Sequence, residues 1–182
     1  MMKAFFKFCF WIAGWNVVGR RPTEVKKYIL IVAPHTSNWD FFIGVAARSI
    51  SGLRSDYLAK DSLFKIPVVG WFMRMVGGHP VDRSKRTNMV DQVVDLYNSK
   101  EEFVITITPE GTRSYNPNWK TGFYRIAHKA NIPIVMVAFD YSKKQVIYNE
   151  PMYPTGDLEK DIEEIKAYYR TIPGKYPELG VV

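Results

Sequence analysis

Cysteine is nearly absent from the chain. Cys9 stands alone, so no internal disulfide can form and the composition suits a reducing compartment. No apolar run reaches the about 20 residues that a membrane-spanning helix needs, and the most apolar stretch, residues 1–18, is interrupted by Lys7. Bulky aromatics fill that stretch and no small-residue cleavage site follows it, which argues against a secretory leader. The net charge of +7 is dispersed rather than gathered into a basic block, so no nucleic-acid partner is expected. There is no internal repeat, no glycine-rich phosphate loop and no zinc-ligand spacing. His79 and His128 lack the carboxylate-rich spacing of a metal site, so neither a metal nor a cofactor is expected. A G-x-S-x-G elbow is missing as well, which removes Ser37, Ser84 and Ser114 as serine-hydrolase nucleophiles.

What is present is an alternation of apolar strands and amphipathic helices on 182 residues, enough for one domain with a sizeable core. Residues 28–33 read as a buried strand, ended by Pro34. Thr36, Ser37 and Asn38 are N-cap types, and a helix with Phe41, Phe42, Val45, Ala46 and Ile50 on one apolar face follows. Short strands are expected at 56–59, 79–83 and 146–148, and stronger ones at 103–107 and 132–139. Helices are expected at 88–100, 123–130 and 158–170, with two short ones inside 62–76 around Pro67 and Gly70. Residues beyond Pro173 read as a tail. The fold class is therefore α/β: a single domain with a mixed, largely parallel sheet flanked by helices.

The N-terminal segment reads as an amphipathic membrane-interface helix over residues 1–21. Its Phe and Trp side chains would sit at the headgroup boundary, with Lys3, Lys7, Arg20 and Arg21 toward anionic lipid. An ordinary core helix is the competing reading. The remaining residues, 22–182, form the domain proper.

Chemistry-bearing residues recur at strand ends. His35, Lys60, Arg83 and Glu110 each follow an expected strand, and open α/β sheets bind ligands outside the carboxyl ends of their strands. His35 lies in the strand-to-helix turn and Asp40 in the first helical turn, where the helix dipole favours a carboxylate. An ionised Asp40 on one imidazole nitrogen leaves the other free as a base, and an ordinary imidazole titrates at about 6.5, well placed for proton transfer near neutrality. Taken alone, His35 and Asp40 suit a loop histidine and a capping carboxylate better than a catalytic pair.

With the motifs laid side by side, the chain resembles the glycerolipid acyltransferases, the lysophosphatidic acid and glycerol-3-phosphate acyltransferases and their relatives. The family's H-x4-D motif matches His35 and Asp40. Its apolar strand ending in Arg matches Val81-Asp82-Arg83. Its P-E-G-T-R-S motif matches residues 109–114, and its proline-bearing apolar strand matches residues 132–137. The chain departs from the pattern at Pro34, where many members have Asn, and at Met136, where a second proline is common. The resemblance implies acyl transfer from acyl-CoA or acyl-acyl-carrier protein to a phosphorylated lyso-lipid, lysophosphatidic acid by default. It implies His35 as general base, Asp40 as its orienting partner, and no metal or acyl-enzyme. Arg83 and Arg113 are implied phosphate clamps, with Lys60 a further candidate for that job. Glu110 and Gly111 belong to the implied binding loop, Glu110 taking an acceptor hydroxyl or holding an arginine. The implied location is the cytoplasmic face of a membrane, peripheral or monotopic. The alternatives are an acyl-thioester hydrolase using the same base, an acyltransferase for glycerol-3-phosphate or another lyso-lipid, and a silent lipid- or nucleic-acid-binding module.

Overall fold

The apolar, β-branched stretch around Leu30 forms the centre of the sheet, buried on both faces. A computed structural model describes residues 2–75, 77–81 and 86–182. Its strands are β1 (Asn16–Val18), β2 (Lys27–Ala33), β3 (Tyr57–Lys60), β4 (Gly78–Val81), β5 (Phe103–Ile107), β6 (Ile134–Asp140) and β7 (Gln145–Tyr148). Its helices are α1 (Met2–Ala13), α2 (Trp39–Ser51), α3 (Asp61–Phe64), α4 (Pro67–Met75), α5 (Arg86–Ser99), α6 (Gly122–Ala130) and α7 (Leu158–Arg170). Five strands form one sheet in the order β1-β7-β6-β2-β5. β2 runs parallel to both β5 and β6, β7 is antiparallel to β6, and β1 is parallel to β7. β3 and β4 form a separate parallel pair, tied to β5 by a bridge between Asp56 and Ile105. The expected single α/β domain with a mixed, largely parallel sheet is the architecture observed.

Strand side chains alternate between faces, so β2 feeds two cores. Ile29, Ile31 and Ala33 pack with Val93 and Tyr97 of α5, Phe123 and Ile126 of α6, and Ile165 and Tyr169 of α7. Tyr28, Leu30 and Val32 face the other way, toward Phe10 of α1 and Ile43, Ala46 and Ala47 of α2. Full burial of each such Ile or Leu side chain contributes roughly 1.5–3 kcal/mol. α7 starts where the sequence places it: the Asp157 carboxylate accepts from Lys160 N at 3.1 Å and caps the first turn.

Three expectations change. The N-terminal helix stops at Ala13, and Asn16–Val18 continue as the edge strand β1. Gly14 takes the positive φ that turns the chain between them, and Asn16 N bonds Lys144 O at 2.9 Å, so residues 16–18 belong to the sheet. The buried face of α2 is Asp40, Ile43, Ala46 and Ala47, while Phe41 and Phe42 are exposed. With about 100° per residue, turning Asp40 inward carries its two neighbours outward. Residues 173–176 are a strap rather than a tail. Tyr141 N donates to Pro173 O at 3.1 Å, and Tyr176 N donates to the buried Thr36 Oγ1 at 3.2 Å. Gly174 crosses so close that a Cβ there would lie 2.9 Å from Thr36 Oγ1.

Along α1 only Phe10 is buried, while Phe5, Phe8, Trp11 and Ile12 are exposed. That pattern removes the ordinary core helix as an account of α1. Among the described residues no helix is long and apolar enough to cross a membrane.

Candidate active site

The loops that follow β2 and β5 must meet, because those strands are neighbours and parallel, with Ile31 opposite Ile107. His35 sits in the first loop and Glu110 in the second. His35 Nδ1 lies 3.0 Å from Asp40 Oδ2. An ionised carboxylate only accepts, so Nδ1 carries the proton and Nε2 keeps its lone pair. The Ser37 backbone N–H donates to the same Oδ2 at 2.9 Å, and the Tyr141 hydroxyl donates to Oδ1 at 2.6 Å. Asp40 is thus almost fully buried, 3% exposed, with hydrogen bonds on both oxygens. Its place in the first turn of α2 adds the favourable helix dipole. The histidine ring stays within reach of solvent at 16%.

The Glu110 carboxylate turns inward, 4% exposed, and accepts the His35 backbone N–H at 3.1 and 3.0 Å. It thereby holds the histidine loop. Burial pushes its carboxyl up to about 7, against the lowering effect of that backbone bond.

Behind Glu110 the loop is folded by its own backbone. Asn116 Nδ2 donates to Glu110 O at 2.7 Å, and Lys120 N donates to Pro109 O at 2.8 Å. Gly111 has φ +69°, and the Lys120 side chain crosses its Cα so closely that a Cβ would lie 2.7 Å from Lys120 Nζ. The positive φ is what calls for glycine there, since the flexible end of Lys120 could move aside. Lys120 therefore brings an ammonium to the loop, a cation that the sequence reading passed over inside a W-K-T-G turn. Its signal was position, nine residues after Pro109-Glu110-Gly111 ends.

His35 opens onto a cavity of about 370 Å³ between α2 and the sheet. Its walls are Leu30, Val32, Val45, Ala47, Leu53, Val137, Phe139 and Val146. Its polar lining includes His35, Asp40, Arg48, Ser55, Asp56, Tyr57, Thr106, Thr108 and Arg113. Gly44 keeps α2 open here, since a Cβ would meet the Phe139 ring at 3.4 Å. Arg113 is exposed and makes no ion pair with any described residue. Its guanidinium is thus available to an anion beside the base. Lys60 ends β3, but its side chain and all of Arg83 lie outside the described residues. His35, Asp40, Glu110, Gly111 and Arg113 are therefore brought together. Among the described residues no group of His, Cys, Asp and Glu is placed to hold a metal ion.

Known proteins share this arrangement of elements. A family model described as acyltransferase matches residues 14–140. The 1-acyl-sn-glycerol-3-phosphate acyltransferase of Saccharomyces cerevisiae is 37% identical over 129 residues, which cover 67% of this chain and 41% of that protein. The Escherichia coli protein of the same name is 28% identical over 178 residues, 87% of this chain and 71% of that one. The chain thus spans well under half the length of the yeast relative. The crystal structure of the 1-acyl-sn-glycerophosphate acyltransferase PlsC from Thermotoga maritima superposes with a TM-score of 0.59 at 23% identity, over 90% of this chain and 74% of that one, a likeness of fold.

Proposed function

The chain belongs to the acyltransferase family, and from that premise we propose that it moves a fatty acyl group from a thioester donor, acyl-CoA or acyl-acyl-carrier protein, to the free hydroxyl of 1-acyl-sn-glycerol-3-phosphate. The observation that carries this reading is the junction at His35, where an oriented imidazole meets an apolar cavity and Arg113, which pairs with no acid among the described residues. A cavity of about 370 Å³ falls within the range of ligand pockets, roughly 300–1,000 Å³. Its apolar length receives the acyl chain of the donor. Its end at His35 receives the thioester and the acceptor.

The acceptor hydroxyl gives its proton to His35 Nε2 as its oxygen attacks the thioester carbonyl. The imidazolium that forms is stabilised by Asp40 through Nδ1–H. The carbon–sulfur bond then breaks, and the thiolate takes the proton back from His35. An ester and a free thiol result, with no acyl-enzyme. Arg113 binds the acceptor phosphate, joined by Lys120 across Gly111 and by Lys60 and Arg83. Holding both substrates in reacting geometry supplies much of the rate, as positioning commonly does.

The exposed rings beside this mouth give the protein its place. Trp39, Phe41 and Phe42 begin α2 immediately after the His35 loop, and Phe5, Phe8, Trp11 and Ile12 line α1, which packs on α2. Such a face suits a lipid surface, with Lys3 and Lys7 toward anionic headgroups. The protein then works peripherally or monotopically on the cytoplasmic face of a membrane.

The test is thiol release from acyl-CoA with and without 1-acyl-sn-glycerol-3-phosphate, followed by mass spectrometry of the lipid. Acceptor-dependent release with phosphatidic acid formed is expected. Equal release without acceptor would replace transfer by thioester hydrolysis. Sedimentation with anionic vesicles tests the surface: Phe8→Ser with Trp11→Ser should lower the bound fraction several-fold, and unchanged binding would remove α1 from it. Substitution is the suitable probe, because deleting residues 1–21 would also strip β1 from the sheet.

A further inference from the structure

Among the described residues, Tyr141 is a further side chain that touches the reacting pair, from a third element. Tyr141 is the first residue after β6, and β6 lies beside β2 with Ala138 opposite Ala33. Its hydroxyl donates to Asp40 Oδ1 at 2.6 Å, at the short end for a charge-assisted bond. The oxygen it takes is the one His35 does not use, since Nδ1 lies on Oδ2. Its ring meets Trp15 edge to face at 5.0 Å and 89°, and its backbone N–H is held by Pro173 O of the strap. Burial and the Asp40 carboxylate push the hydroxyl well above the ordinary range, so it remains a donor throughout the working pH.

We propose that Tyr141 is a positioning residue for the acyl-transfer base: by donating to Asp40 Oδ1 it fixes the carboxylate with Oδ2 toward His35 and draws off part of its charge, which sets how tightly the imidazole holds a proton. The carboxylate has one free rotation about its Cβ–Cγ bond. Ser37 N and His35 both bond Oδ2, and among the described residues only Tyr141 engages Oδ1. Without it Oδ1 is left desolvated and more basic, and its attraction for the imidazolium rises. Among the described residues, the other titratable and charged groups facing the pair or its cavity are Glu110 from the loop after β5, Tyr176 from the strap, and Arg48, Asp56, Tyr57, Arg113 and Tyr148 on the cavity wall.

This rests on the reading of His35 as base, and the test separates the two. Tyr141→Phe keeps the ring on Trp15 and removes only the hydroxyl. The expected outcome is a kcat lower by about 10- to 100-fold with KM within about twofold, the loss of a hydrogen bond to a charged group. The acid limb of the kcat/KM profile should move up by about half a pH unit or more. The same upward displacement should appear in an NMR titration of the His35 ring, which needs no turnover. A fluorinated tyrosine placed at 141 is a stronger donor and should move the titration down. If wild type shows no acyl transfer, the functional reading fails while the NMR arm still decides the coupling. A His35 titration unmoved by both replacements overturns the proposal, as does a Tyr141→Phe enzyme with an unshifted limb whose only defect is a lower melting temperature. Displacements of opposite sign in the two variants establish it.

Discussion

Asp40 and Glu110 are both buried carboxylates bonded to His35, yet they grip it by different ends. Asp40 comes from the same strand–helix unit and holds the ring nitrogen. Glu110 comes from a loop 75 residues away and holds the backbone N–H. Asp40 is well served, with a backbone N–H, an imidazole N–H and a phenol hydroxyl on its two oxygens and a helix N-terminus beneath it. Among the described residues Glu110 has one backbone donor for two oxygens, and its carboxyl is pushed up to about 7 by burial. The first carboxylate is placed to act on chemistry, the second to act on structure. The difference lies in which atoms face them, since their exposures are nearly the same at 3% and 4%.

The strongest way to break the contrast is at the ring end. Asp40→Asn keeps the shape but puts an amide beside the imidazole. The Ser37 backbone N–H can only donate, so it keeps the amide oxygen at the Oδ2 place, and the NH₂ faces Tyr141, whose hydroxyl can accept. Nδ1–H keeps its acceptor, but the imidazolium loses its counter-charge. The expected loss in kcat is on the order of 10²- to 10³-fold, with the far-UV circular dichroism unchanged. His35→Ala should fall lower still, because it removes the base itself. An Asp40→Asn enzyme within tenfold of wild type would show that the charge of Asp40 is not used.

At the backbone end the expected effect on rate is far smaller and the effect on stability reverses. Glu110→Gln retains an amide oxygen for the His35 N–H, so kcat should drop less than about tenfold. The wild-type carboxyl is raised from 4.5 to about 7 in the folded protein. A raised pKa means that the folded state binds the proton more tightly. The contribution of this group is therefore fully present below about 4.5 and is lost as pH rises through 7. The difference is about 2.5 pH units, or roughly 3 kcal/mol. Glu110→Gln should melt higher than wild type at pH 8, with the gap narrowing as pH falls from 7 toward 4.5. A gap that is constant with pH would mean that Glu110 is not held protonated by burial.

The sequence made the ring end legible and left the backbone end hidden, for physical reasons. His35 and Asp40 are five residues apart, so strand, turn and helix signals place both. β2, β5 and α7 are strongly patterned, and their observed bounds lie close to those read from periodicity. The meeting of Glu110 with the His35 N–H depends on β5 pairing beside β2, which no local pattern encodes. Tyr141 was hidden for the same reason, although the strand-end rule that singled out His35 and Glu110 applies equally to the residue after β6. The strap escaped because Pro173 and Gly174 carry turn signals, and turn signals look alike whether the segment is free or docked. Phe41 and Phe42 misled because hydrophobicity alone cannot separate a core face from an exposed one.

The smallest expected effect comes from that strap, and it sharpens the contrast by touching the His35 loop without touching either carboxylate. Gly174→Ala introduces a Cβ 2.9 Å from Thr36 Oγ1 and 3.1 Å from Pro34 Cγ. Thr36 is itself buried and accepts the Tyr176 N–H, so it has little room to retreat. Overpacking of this kind costs roughly 1–3 kcal/mol. The strap can relieve the clash by lifting away, which loosens Pro173 on Tyr141 and the turn whose Ser37 N–H serves Asp40. The melting temperature should fall by a few degrees and kcat by about two- to threefold, with KM for the acyl donor unchanged because the cavity wall is not touched. Fluorescence of Trp39 gives a direct readout, since Lys175 of the strap sits 5.1 Å above its ring. A variant with lowered stability but unaltered Trp39 emission and full kcat would place the strap outside the machinery that holds His35.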